Sequence, residues 1–164
     1  MTRPTNRPTP RALTMDELSG RDGIDLLRAI ISGELPQPPI ANTLNYWLAE
    51  VEPGKAVFEG EPLADHFNPL GTIHGGWAAT VLDSALACAV HTTLKQGQAY
   101  TSVEMKLNFD RPIMPGKGVV RCEATVVQRG SRIATSEGRL LGPDGKLLAH
   151  GTETCLIMDG REAR

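Results

Sequence analysis

Residues 75–90 read GGWAATVLDSALACAV, a run whose small and apolar side chains would fall on every side of a helix. Such a helix has no face to offer water, so the rest of the chain must surround it. At 164 residues the chain is long enough to do this within one domain. The run is also too short to span a bilayer, and Asp83 interrupts it.

The segments on either side supply the wrapping. TSVEMKLNF, residues 101–109, alternates Val103, Met105, Leu107 and Phe109 with Ser102, Glu104, Lys106 and Asn108, which predicts a half-buried strand. VVRCEATVVQRG, SRIATSEGRLL and KLLAHGTETCLIM predict three more, the last two joined by a hairpin at GPDG. Upstream, NTLNYWLAEVEPGKAVFEGE predicts two strands turning at Pro53-Gly54. The expectation is an α+β fold: an antiparallel six-stranded sheet around one helix from about Gly75 to Leu94. Two sheet edges would remain, and pairing between two copies of the chain would cover one of them.

Ahead of this core, MDELSGRDGIDLLRAIISGELPQPP predicts a short amphipathic helix. Ile24, Leu27, Ile30 and Ile31 recur at helical spacing, and Pro36, Pro38 and Pro39 stop it. The first residues are rich in Pro and Arg, with no acid before Asp16. We expect residues 1–20 to be a mobile tail and residues 21–164 to form a single domain. The prolines oppose a transit helix, and no apolar stretch follows the start as in a signal peptide. Three cysteines without a pairing pattern predict free thiols and a cytoplasmic protein. A formal charge of −2 and a pI near 6.1 offer nucleic acid no electrostatic attraction.

Asp83 is the anomaly of the central helix. Its neighbours one turn away are Ala79, Thr80, Leu86 and Ala87, none of which compensates a carboxylate. A buried, unpaired carboxylate is costly. The residue could face an interface groove, pair with a distant cation, or be a functional acid with a shifted pKa. At the helix start, Gly75 and Gly76 make a tight turn, and their N–H groups could also bind negative charge. Gly75 and Asp83 would stand roughly 12 Å apart along the axis and about 80° apart around it. One copy of the helix cannot bring both to the same atom, so a shared site would lie across a two-fold interface.

Asn68, Gly71, His74-Gly75-Gly76 and Asp83, followed by YTSVEMKLNF, resemble the hotdog-fold acyl-CoA thioesterases, in particular the phenylacetate-pathway (PaaI-type) branch. The resemblance covers roughly residues 40–158 and implies a sheet wrapped around a long helix in a homodimer or dimer of dimers. It implies hydrolysis of aryl or short- to medium-chain acyl-CoA to free acid and coenzyme A. By resemblance, the Gly75 N–H stabilises the oxyanion, and Asp83 of the partner subunit activates water or attacks directly. Asn68 orients water or carbonyl, His74 shapes the turn and contacts the thioester, and Ser102 lies near the attacking water. A thiolate leaves readily, so one carboxylate and one oxyanion donor suffice, without a metal or cofactor. For coenzyme A, Gly76 and the basic turn Arg129, Gly130 and Arg132 are the candidate binding residues.

Other chemistries fit less well. Cys88 and His91 lie one turn apart, but an apolar helix raises a thiol's pKa. His66, His74, His91 and His150 lack the close spacing of a zinc site. The alternatives within the fold are a hydratase or dehydratase acting on acyl thioesters and a non-catalytic acyl-CoA-binding module. The lone Asp83 argues against the module. Trp77 is expected to pack rather than to bind.

Overall fold

The computed structural model describes residues 8–159. The central helix is there, as α4 (Gly75–His91), ending three residues before Leu94. Six strands surround it: β1 (Tyr46–Glu52), β2 (Lys55–Gly60), β3 (Gln98–Phe109), β4 (Val120–Arg129), β5 (Ile133–Leu141) and β6 (Leu147–Asp159). They form one antiparallel sheet in the order β1-β2-β4-β5-β6-β3.

Helix α4 packs against β2, β4, β5, β6 and β3. Five adjacent strands span about 19 Å at 4.8 Å spacing. A helix is only about 10 Å across, so the sheet must curl around it. This is the hotdog arrangement. Val81, Leu82, Ala85, Leu86, Ala89 and Val90 are all sealed inside the curl.

The segment before the sheet is two helices rather than one. α1 (Met15–Ser19) carries a capping box, with Glu17 N–H donating to Thr14 Oγ1 and Thr14 N–H donating to the Glu17 carboxylate. α2 (Gly23–Ser32) begins after a break at Gly20–Asp22. There the Asp22 carboxylate binds Lys95 Nζ and Gln96 N–H, both at 2.9 Å, and so ties the break to the loop after α4. Gly23 sits directly on the end of α4. A Cβ there would lie 2.0 Å from the His91 carbonyl oxygen. A third short helix, α3 (Pro39–Thr43), packs with α2 on β1. The expected tail thus overlaps structure: α1 falls within it, and Leu13 packs on the core. Residues 1–7 lie outside the described residues.

Strand β3 departs from the expected half-burial. It forms one end of the sheet, with Val103 56% and Phe109 60% exposed and only Leu107 half-buried on that face. The alternation found a strand but not its cover, because α4 reaches little of β3 and, among the described residues, no element lies beyond it. A bulge between Ser102 and Glu104 shifts the register with β6.

Candidate active site

The loop before α4 is held by Asn68. Its Oδ1 accepts from the N–H groups of Leu70 (2.9 Å) and Thr72 (3.3 Å), and its Nδ2 donates to Thr72 Oγ1 at 2.7 Å. Gly71 takes φ 78° in this loop, a value that favours glycine. His74 then caps the helix, its Nδ1 accepting from Gly76 N–H at 2.8 Å. Trp77 N–H donates to the His74 carbonyl. Gly76 and Trp77 are therefore satisfied, whereas the Gly75 N–H has no protein partner among the described residues. Gly75 also lets the Phe109 ring approach closely: a Cβ would press on that exposed ring at 3.3 Å. The result is one free donor at the positive end of a 17-residue helix, in a cleft of about 260 Å³.

Asp83 lies half-buried at mid-helix, with no hydrogen bond or ion pair among the described residues. Burial pushes its carboxyl above the ordinary aspartate range. A structural ion pair within the chain is thereby excluded for the described residues. Asp83 opens onto a cavity of about 460 Å³ between α4 and α2, lined by Leu26, Leu27, Ile30, Leu48 and Phe58 and bordered by Arg11–Leu13. Ser102, on β3, hydrogen-bonds to Glu153 of β6, a buried carboxyl that feels the charge of Asp83. The chain thus presents two groups of residues: Asn68, His74 and Gly75 at the helix start, and Asp83 with Ser102 further along.

The chain is similar in sequence and in fold to known proteins. Residues 70–149 match the thioesterase superfamily. Human acyl-coenzyme A thioesterase 13 is 33% identical over 108 residues, 65% of this chain and 76% of that protein. The chain belongs to the thioesterase superfamily. A phenylacetic acid degradation-related protein of Ralstonia eutropha JMP134 superposes with a TM-score of 0.72 at 30% identity, covering 79% of this chain and 98% of that one. A mutant of the phenylacetic acid degradation protein PaaI of Thermus thermophilus gives 0.66 at 32% identity, covering 72% and 97%. As a thioesterase-superfamily protein, the chain is a thioester hydrolase.

The remaining expected residues fall elsewhere on this thioesterase. Arg129 reaches Thr93 Oγ1 at 3.2 Å and also bonds the Gly130 carbonyl and Gln98. It clasps the β4–β5 turn to the far end of α4, away from Gly75, and Arg132 beside it is exposed. Trp77 is buried, donating to the Leu44 carbonyl at 2.7 Å, as expected of a packing residue. Burial pushes the Cys88 thiol up to about 12 and the His91 imidazole down to about 4, so neither activates the other. The histidines are dispersed: His66 contacts Leu63 N–H and Thr43, His91 packs edge-on to Tyr100, and His150 pairs with Asp110. Among the described residues, no helix is long and apolar enough to cross a membrane.

Two features escaped the sequence reading. A second cleft, of about 530 Å³, adjoins the one at Gly75 through Arg111, Pro112, Ile113 and Leu148, and it carries Lys117 and Lys146. Its cations lie in loops and share no motif. Glu153 was missed although a signal was present: in HGTETCLI the inward positions of the strand are Gly151, Glu153, Cys155 and Ile157, which puts an acid in an apolar row.

Proposed function

We propose that this protein hydrolyses acyl-coenzyme A thioesters at two equivalent sites of a homodimer, with water as the only co-reactant. The reading rests on one observation: a helix with a free N–H at Gly75 and an unpaired, desolvated carboxyl at Asp83. The rise between them requires two copies of the helix for one site. The exposed edge of β3, carrying Val103 and Phe109, suits that pairing.

In this mechanism the thioester oxygen accepts from Gly75 N–H. Asp83 of the partner subunit takes a proton from water, and the resulting hydroxide adds to the carbonyl carbon. The oxyanion is stabilised at the helix N-terminus until the carbon–sulfur bond breaks and the thiolate leaves. Asp83 returns its proton to the thiolate or to solvent. Ser102 orients the water. Asn68 and His74 act through the loop and the cap that expose Gly75.

The acyl group enters the 460 Å³ cavity beside Asp83, whose walls suit an aryl or short- to medium-chain group. The coenzyme A arm leaves along the clefts next to Gly75, where Arg111, Lys117 and Lys146 meet its phosphates. Three free cysteines fit a reducing compartment, and we place the reaction in the cytoplasm. The deciding experiment measures thiol release from phenylacetyl-, octanoyl- and decanoyl-CoA. Release from at least one, lost in Asp83→Asn, is expected. Hydration of an enoyl-CoA without thiol release would replace this reading with the hydratase.

A further inference from the structure

Glu153 is 1% exposed on the inner face of β6, in a row with Ala149, Gly151, Cys155 and Ile157. An acid in such a row is costly, and among the described residues no cation pairs with this one. The groups that face it are Asp83 and Cys88 from α4, Tyr100 and Ser102 from β3, Ser136 from β5, and Cys155 from its own strand. None is basic. Its Oε1 accepts from Ser102 Oγ and, at 3.4 Å, from Cys155 Sγ, while Oε2 has no partner among the described residues. Neither packing nor ion pairing accounts for the residue. What it does is fix a serine that sits at the β3 bulge, while Glu153 itself lies within the electrostatic reach of Asp83.

We propose that Glu153 is a positioning residue for hydrolysis, holding the Ser102 hydroxyl so that its lone pairs face the water activated by Asp83. The proposal rests on the thioesterase reading above. A serine hydroxyl has one proton and rotates freely unless an acceptor fixes it. Donation to Glu153 Oε1 turns that proton inward. The oxygen is left to accept one proton of the water while Asp83 accepts the other, and the water's lone pair then points at the carbonyl carbon. Burial, reinforced by the charge of Asp83 and opposed by Ser102, pushes the Glu153 carboxyl up.

Two substitutions separate positioning from mere structure. Glu153→Met fills the same space without an acceptor, whereas Glu153→Gln keeps a carbonyl oxygen where Oε1 was. The Met variant should fold with an unchanged or higher Tm, because a buried acid is gone. With the better of octanoyl-CoA and phenylacetyl-CoA as substrate, its KM should hold and its kcat fall about tenfold. The Gln variant should stay within about threefold of wild type. In a Ser102→Ala background the Met substitution should cost nothing more, because its effect runs through Ser102. Wild-type kcat in the Met variant, equal losses in both backgrounds, or a Gln variant as damaged as Met would each overturn the proposal. So would a Met variant that no longer folds, which would assign the carboxyl to stability. A wild-type protein that releases no thiol overturns the thioesterase reading itself, an outcome visible before any variant is made.

Discussion

Gly75 and Asp83 lie on one unbroken helix, the glycine at its first position with a free N–H and the acid eight residues on, half-buried and unpaired. Gly75 can be tested without disturbing the helix. Proline is tolerated at the first helical position and removes only the N–H. His74, with φ −60° and ψ 136°, already has the backbone a residue before proline requires. The exposed Phe109 ring must give by a few tenths of an ångström. Gly75→Pro should therefore fold, keep its KM within a few-fold, and lose about 10²- to 10³-fold in kcat, the usual effect of losing an oxyanion donor.

Mixing variants tests the shared site. Gly75→Pro and Asp83→Asn should each be nearly inactive alone. In dimers carrying one of each, one of the two sites regains both an intact Gly75 and an intact Asp83. Co-expressed in equal amounts, with half the dimers mixed, the pair should recover about a quarter of wild-type activity. A site built within one chain would recover nothing.

The same acid should trade stability for activity. Burial raises the Asp83 pKa in the folded chain, so the folded state disfavours the ionised form relative to the unfolded chain. Its contribution is then most favourable below the unfolded pKa and is lost as pH rises through the folded value. Asp83→Asn removes that loss, and thermal melts should give a higher Tm than wild type at pH 7 but little difference near pH 3. The acid limb of the wild-type kcat profile should fall above the ordinary aspartate range and vanish from the residual activity of the Asn variant.

The phosphate-binding surface follows from which cations adjoin Gly75. Lys146 is paired with Asp144 at 2.9 Å, which leaves Arg111 and Lys117 as the stronger positive groups of the cleft. Lys117→Glu should raise KM for acyl-CoA about three- to tenfold at low salt, less at 0.5 M, and leave kcat near wild type. Arg132→Glu, at the opposite end of α4, should change neither. The reverse pattern would return coenzyme A to the Arg129–Arg132 turn.

Much of this was legible in the sequence because periodicity reports burial. The apolar run of α4 demanded a wrapping sheet, and alternation in residues 101–109 together with turn signals between the other segments located six strands around it. Asp83 and Gly75 stood out because each breaks the rule of its own helix. The rest depended on contacts between distant segments. Alternation in β3 could not show that its apolar side lacks cover, because that follows from strand order. The Arg129 turn reads as a basic turn in the sequence, which does not show its hydrogen bonds to Thr93 and Gln98. Arg111, Lys117 and Lys146 meet only after β3, β4 and β6 are in place. Asp22 gave no sign that its carboxylate would be spent on Lys95 and Gln96, splitting the expected helix.

The N-terminal segment should set acyl-chain length. α2 supplies Leu26, Leu27 and Ile30 to the cavity at Asp83, and Arg11–Leu13 with Leu18 lie across its outer side. Arg11 is held there by Glu17 through two bonds of 2.8 and 2.9 Å, and Glu17 also closes the capping box of α1. At about 30 Å³ per non-hydrogen group, the share of a water molecule, 460 Å³ has room for on the order of fifteen such groups. With the thioester at the mouth, octanoyl and decanoyl chains fit under the segment, whereas an eicosanoyl chain, with about nineteen carbons beyond the carbonyl, must push it aside. Deleting residues 1–20 removes that cover but keeps α2. It should cost only a few degrees of Tm, because Leu13 is the one residue of the segment packed on the core among those described. The ratio of kcat/KM for eicosanoyl-CoA over octanoyl-CoA should rise at least about fivefold, roughly 1 kcal/mol of relieved displacement. An unchanged ratio in a folded, active deletion variant would place the end of the acyl chain somewhere other than beneath Arg11–Leu18.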